Sequence, residues 1–151
     1  MTSISKSTSE NSQKESKLVN SVELKPVSID LGAGSIAGVT LGDDEKPIML
    51  CLHGWLDNVA SFYPLLPYLP DTYKIIAIEW PGHGHSDHRG KDAHYHFIDW
   101  VYDLLKLFES QKWKSVDIVA HSMGGMVASA FAAAFPEKVK SLTLVASIPL
   151  M

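Results

Sequence analysis

The 151-residue sequence has a single cysteine, a single arginine and no apolar run long enough to cross a bilayer. Cys51 has no partner for an internal disulfide, and it lies in the apolar run Ile48–Leu52, where a buried, unreactive thiol is expected. Arg89 is the lone arginine, and the formal charge of −4 comes from scattered charges, so no basic stripe is present to follow a nucleic-acid backbone. A membrane-spanning helix needs about 20 apolar residues, and the N-terminus also lacks the apolar core of a secretory signal. A mitochondrial presequence is rich in Arg and poor in acids, whereas residues 1–21 have no Arg and carry Glu10 and Glu15. The expected compartment is therefore the cytoplasm, with no nucleic-acid partner and no membrane span.

What is present suffices for one core, since 46% of the residues are hydrophobic. Residues 1–21 are polar and of low complexity, a composition that does not offset its ordering entropy, and they read as a flexible tail. From residue 22 to residue 30 apolar and polar residues alternate, followed by the turn Gly32-Ala33-Gly34 and a second run at 36–41, which predicts an antiparallel hairpin. Continuous apolar runs at 48–52, 73–78, 116–119 and 142–146 predict strands buried on both faces. Between them, Phe62, Leu65, Leu66 and Leu69 suggest a helix made short or irregular by Pro64 and Pro67. Phe97, Val101, Leu104, Leu105 and Phe108 give a clean helical stripe with Asp99 and Asp103 off it, and 123–135 predicts a third helix, ended by Pro136. Strands alternating with helices predict an α/β fold, a mostly parallel sheet with helices on both faces. Catalytic groups in such folds gather at the C-terminal ends of the strands.

Three motifs stand just past three of those strand ends. Ala120-His121-Ser122-Met123-Gly124-Gly125 follows the strand at 116–119 and opens the alanine-rich helix. A serine on so sharp a strand-to-helix turn is held with its hydroxyl exposed, and small neighbours are needed because the turn packs closely against adjoining structure. Gly124 supplies one two residues after the serine; two residues before it stands Ala120, where glycine is commoner. The bland alternative is a Gly-rich helix start with an incidental serine.

His53-Gly54-Trp55-Leu56-Asp57-Asn58 follows the strand at 48–52. Its backbone suits the stabilisation of an oxyanion, with the N–H groups of Trp55 and Met123 as the expected donors. His53 reads as a structural histidine that shapes this loop, with a catalytic base as the alternative.

The third motif is Glu79-Trp80-Pro81-Gly82-His83-Gly84-His85-Ser86. It lacks the lysine of a phosphate loop and no helix follows at once, so a structural turn is expected. The crowd of His83, His85, His88, His94 and His96 has neither a nearby cysteine nor the His-Glu-x-x-His spacing, so no metal site is expected, and no motif calls for a cofactor.

These three motifs, in this order and at these separations, resemble the α/β-hydrolase superfamily, and the stretch 51–58 resembles its serine hydrolase-like subgroup. The resemblance covers about residues 22–151. It implies the nucleophile position at Ser122, the oxyanion positions at Trp55 and Met123, and supporting motif positions at His53, Gly54, Ala120 and Gly124. It further implies a helical cap after the sixth strand, an acid after the seventh and a histidine after the eighth. This sequence stops just past the sixth strand, so nothing in it matches the acid or the base, and His85 is the least implausible stand-in. A serine at position 122 argues against the branches that use aspartate there, the haloalkane dehalogenases and epoxide hydrolases. The expected activity is a serine hydrolase that cleaves an ester or related acyl bond of a small molecule through an acyl-enzyme. Esterase, lipase, thioesterase, carbon–carbon hydrolase and cofactor-free haloperoxidase all stay open, as does a non-catalytic fragment or binding remnant.

Overall fold

The computed structural model describes residues 23–147; the expected tail at 1–21 lies outside them. Six strands form one sheet: β1 (Lys25–Asp30), β2 (Ser35–Leu41), β3 (Ile48–Leu52), β4 (Lys74–Ile78), β5 (Val116–His121) and β6 (Val139–Val145). Their spatial order is β1-β2-β4-β3-β5-β6. The expected hairpin pairs Ile29 with Ile36, and β2 continues antiparallel onto β4. The pairs β3–β4, β3–β5 and β5–β6 are all parallel, so the C-terminal ends of these four strands lie along one edge of the sheet.

Continuous apolar runs leave the facing of each residue undecided, and the period-2 pleat decides it. Leu50, Leu52, Ile76, Ile78, Ile118 and Ala120 point to one face, where two helices cover them: α1 (Phe97–Ser110) and α2 (Met123–Ala134). The buried arc of α1 is wider than the expected stripe and takes in Trp100 and Leu107, because α1 packs against both the sheet and α2. Phe108 meets Phe131 of α2 with ring centroids 4.9 Å apart. At the start of α1 the His96 N–H donates to Asp99 Oδ2 at 2.9 Å, satisfying one of the free backbone groups of a helix terminus. Asp103, off the stripe, holds the lone arginine through a 2.7 Å contact with Arg89.

Met49, Cys51, Ile75, Ala77 and Val119 point to the opposite face, against Val59, Phe62 and Leu66. These come from two 3-10 turns, Val59–Phe62 and Leu66–Tyr68, where the sequence suggested one short helix. The proline rings divide it: Pro67 opens the second turn, and Leu65 between the turns is left 37% exposed.

β6 starts three residues earlier than expected and, among the described residues, is bonded only to β5. It is not buried on both faces: Leu144 and Val145 are exposed, and in register beside Asp117 and Val119 stand the polar Ser141 and Thr143. Among the described residues no helix is long and apolar enough to cross a membrane.

Candidate functional site

The sharpest local feature lies between β5 and α2. Ser122 has φ 51° and ψ −119°, a backbone conformation that side-chain-bearing residues avoid. Such strain costs of order 1–3 kcal/mol and persists only where surrounding contacts over-determine it. Here four contacts do so. The Ser122 N–H donates to Val145 O at 3.0 Å, tying the turn to the end of β6, and its carbonyl accepts the N–H groups of Gly125 at 3.0 Å and Met126 at 3.3 Å. The Ser147 hydroxyl donates to the same carbonyl at 2.9 Å. Ala120, two residues earlier, is fully buried in the core.

The glycines set how near the neighbouring loop comes. A Cβ on Gly124 would lie 2.6 Å from both Leu52 O and His53 O, so the first turn of α2 rests directly on the backbone at the end of β3. A Cβ on Gly54 would lie 3.1 Å from Ser122 Cβ and 3.2 Å from His121 Nδ1. The loop with Trp55 therefore abuts the serine turn. Among the described residues the Trp55 N–H has no backbone acceptor, and the Met123 N–H, first of α2, has none within its helix.

His53 is fully buried, with both ring nitrogens engaged: Nδ1–H donates to Gly54 O at 2.7 Å, and Nε2 accepts the Trp80 N–H at 3.1 Å. This is a neutral tautomer fixed by its partners. The Trp80 indole N–H returns a bond to His53 O at 2.9 Å. His83 braces the same loop by accepting the Leu56 N–H at Nε2, 3.1 Å away. Burial depresses the His53 pKa, outweighing the bond to Gly54. Because the folded pKa lies below the ordinary imidazole value of about 6.5, the unfolded chain binds the proton more readily. Stability should therefore hold above about pH 6.5 and fall as the pH drops below it. Thermal melts between about pH 8 and pH 5 test this; a melting temperature that stays flat on acidification is the contrary result.

The Glu79–Ser86 stretch is a turn stitched to β2. The buried Glu79 carboxylate accepts the His85 N–H at 2.5 Å, and the Ser86 hydroxyl donates to Glu79 O while accepting the Ala37 N–H at 2.9 Å. The N–H groups of His83 and Ser86 close on Trp80 O and His83 O. A phosphate would need these donors, and an acidic side chain already fills the turn. His85, the stand-in for a base, has a 92% exposed side chain whose Nδ1 lies 3.3 Å from Glu79 Oε2. Among the described residues no three His, Cys, Asp or Glu side chains are grouped to hold a metal. Burial pushes the Cys51 thiol up to about 12.

Sequence reasoning gave no role to three residues near the serine turn, His121, Asp57 and Ser147. His121 Nδ1 lies 3.9 Å from Asp57 Oδ2, and both residues line a cleft of about 190 Å³ with His53, Ser61, Phe62 and Val145. Ser147 was likewise missed. Asp57 belongs to the quoted loop motif and His121 to the serine motif, but no spacing rule says that the two face each other.

Comparison with known proteins fits this geometry. Residues 47–151 match the family described as alpha/beta hydrolase fold. The chain is 42% identical over 111 residues to a serine hydrolase-like protein of Danio rerio, covering 74% of this chain and 34% of that protein. It is 39% identical over 111 residues to a serine hydrolase-like protein of Homo sapiens, covering 74% and 55%. A crystal structure of a hypothetical protein from Pseudomonas aeruginosa PAO1 superposes with a TM-score of 0.78 at 35% identity, covering 84% of this chain and 45% of that one. The chain thus spans about a third to a half of the length of these relatives. With its sheet order, its strained serine and this match over residues 47–151, the chain belongs to the α/β-hydrolase fold family.

Proposed function

We propose that this chain carries the nucleophile and oxyanion half of a serine hydrolase site. The observation that supports this most is the strained Ser122 at the C-terminal edge of the parallel strands, held by four hydrogen bonds. Ser122 Oγ attacks the carbonyl carbon of a small ester or related acyl substrate. The oxygen that gains charge is received by the N–H groups of Trp55 and Met123, each such donor being worth roughly 2.7–4 kcal/mol. The bond to the leaving alcohol or thiol then breaks, the leaving group departs with the proton, and water hydrolyses the acyl-enzyme on Ser122. The base that takes the serine proton, and the acid that orients it, come from outside residues 1–151. His53 is excluded as that base by its two internal hydrogen bonds.

The second reading is a non-catalytic fragment or binding remnant of an α/β-hydrolase. A fluorophosphonate probe separates the two. A form extended to the length of the relatives should label at Ser122, and Ser122→Ala should abolish labelling. Residues 1–151 alone should label far more slowly, since removing other triad members leaves roughly 10³–10⁴-fold catalysis over water in the serine protease studied that way. A well-folded extended protein that stays unlabelled, or is modified elsewhere by peptide mapping, overturns the hydrolase reading in favour of the remnant.

A further inference from the structure

We infer that His121 and Asp57 form an electrostatic brace between the turn that carries Ser122 and the loop that carries the Trp55 N–H. They are positioning residues, and the inference rests on the hydrolase reading above.

The geometry is that of a strut. His121 immediately precedes Ser122, and its Nδ1 lies close to the backbone of Gly54 on one side and 3.9 Å from Asp57 Oδ2 on another. Asp57 is anchored to its own loop through the other oxygen, Oδ1, which accepts the Asn58 N–H at 2.9 Å and the Ser61 hydroxyl at 2.5 Å. That leaves Oδ2 turned toward the ring. Burial works against the Asp57 charge, but the Ser61 and Asn58 hydrogen bonds, with a smaller contribution from the nearby His121, more than offset it, so the carboxyl is held below the usual carboxylate range. Among the described residues lining the cleft, Asp57 is the one carboxylate; the others near the ring are His53, already paired, Ser61 from the first 3-10 turn, Val119 from β5 and Val145 from β6.

At 3.9 Å the contact is too long for a hydrogen bond but within reach of a charge pair. A charge pair between them draws the loop toward the serine turn. The distance between Trp55 and Ser122, which decides whether both expected donors reach one oxygen, is thereby linked to the pairing of His121 with Asp57. The His121 ring is half-exposed.

Nuclear magnetic resonance on residues 1–151 reads this without any activity. The backbone amide resonances of Trp55 and Asp57 should move with the His121 ring resonances as the pH is varied. Asp57→Asn keeps an oxygen for Ser61 and Asn58 while removing the charge, and it should abolish that linked movement with the remaining amides in place. His121→Gln should do the same, and Asp57→Glu should restore it. If either variant fails to fold, the wild-type linkage alone decides. A Trp55 amide that ignores His121 in the wild type, or that still titrates in both variants, overturns the brace. Fluorophosphonate labelling separates the two failures: labelling of Ser122 without linked movement removes the brace alone, whereas linked movement in a protein that never labels removes the nucleophile reading beneath it.

Discussion

Gly124→Val is expected to abolish the folded state, and Gly124→Ala to cost more than the roughly 1–3 kcal/mol typical of an overpacked site. The added Cβ would sit 2.6 Å from two carbonyl oxygens, Leu52 O and His53 O, and 2.9 Å from Leu52 C. Those atoms end β3, a strand paired on both sides by β4 and β5, so the backbone there cannot withdraw. Relief can come only from lifting α2, which unseats Val127, Ala128 and Phe131 from the core and pulls the Ser122 turn off the end of β6. The adjacent Gly125 is the control. Its added Cβ would meet the Ser147 hydroxyl, which can rotate away at the loss of one hydrogen bond to Ser122 O, about 1 kcal/mol. It would also lie 2.6 Å from Ser147 Cβ, which a residue just past β6, paired on β5 alone among the described residues, can relieve by a shift that the doubly paired β3 cannot make. Urea denaturation of the two alanine variants should therefore give a much lower midpoint for Gly124→Ala. Equal midpoints would mean that the helix does not rest on β3 as described.

Trp80→Ala should cost about 3–5 kcal/mol, and Trp80→Phe an intermediate amount of about 1–3 kcal/mol. Trp80 is fully buried, and its indole N–H is the partner of His53 O. Phenylalanine retains most of the packing but leaves that carbonyl unpaired in a dry site; alanine adds a cavity. Both variants keep the backbone N–H that His53 Nε2 accepts, so the imidazole stays fixed on one side. The loop from His53 to Asn58 should loosen in both, seen as faster amide exchange at Gly54 and Trp55. A Trp80→Phe variant as stable as the wild type would show that the indole hydrogen bond contributes nothing to holding the loop.

Much of the fold is legible in the sequence because it follows from local rules. The run Ile48–Leu52 is β3 from end to end, and α2 ends at Ala134, just before Pro136. The turn at Ser122 is legible for the same kind of reason: a serine between an apolar run and an alanine-rich stretch, flanked by Gly124 and Gly125, admits few backbone paths. The split of residues 59–68 into two 3-10 turns was only half legible. The prolines announce a disruption, but the competition between their fixed φ and the burial of Phe62 and Leu66 is resolved by what the sheet face offers.

The sequence by itself determined the strands, the long helices and the place of Ser122, since each depends on periodicity or on backbone sterics within a few residues. Only the tertiary structure decided which apolar side chains of a continuous run face the helices and which face the 3-10 turns, because a run without alternation is the same from either side. It also decided the neutral state of His53, whose partners come from Gly54 and from Trp80, 27 residues away. The meeting of Asp57 with His121 is of the same kind: the two lie on loops that follow β3 and β5, and their distance is fixed by the parallel pairing of those strands.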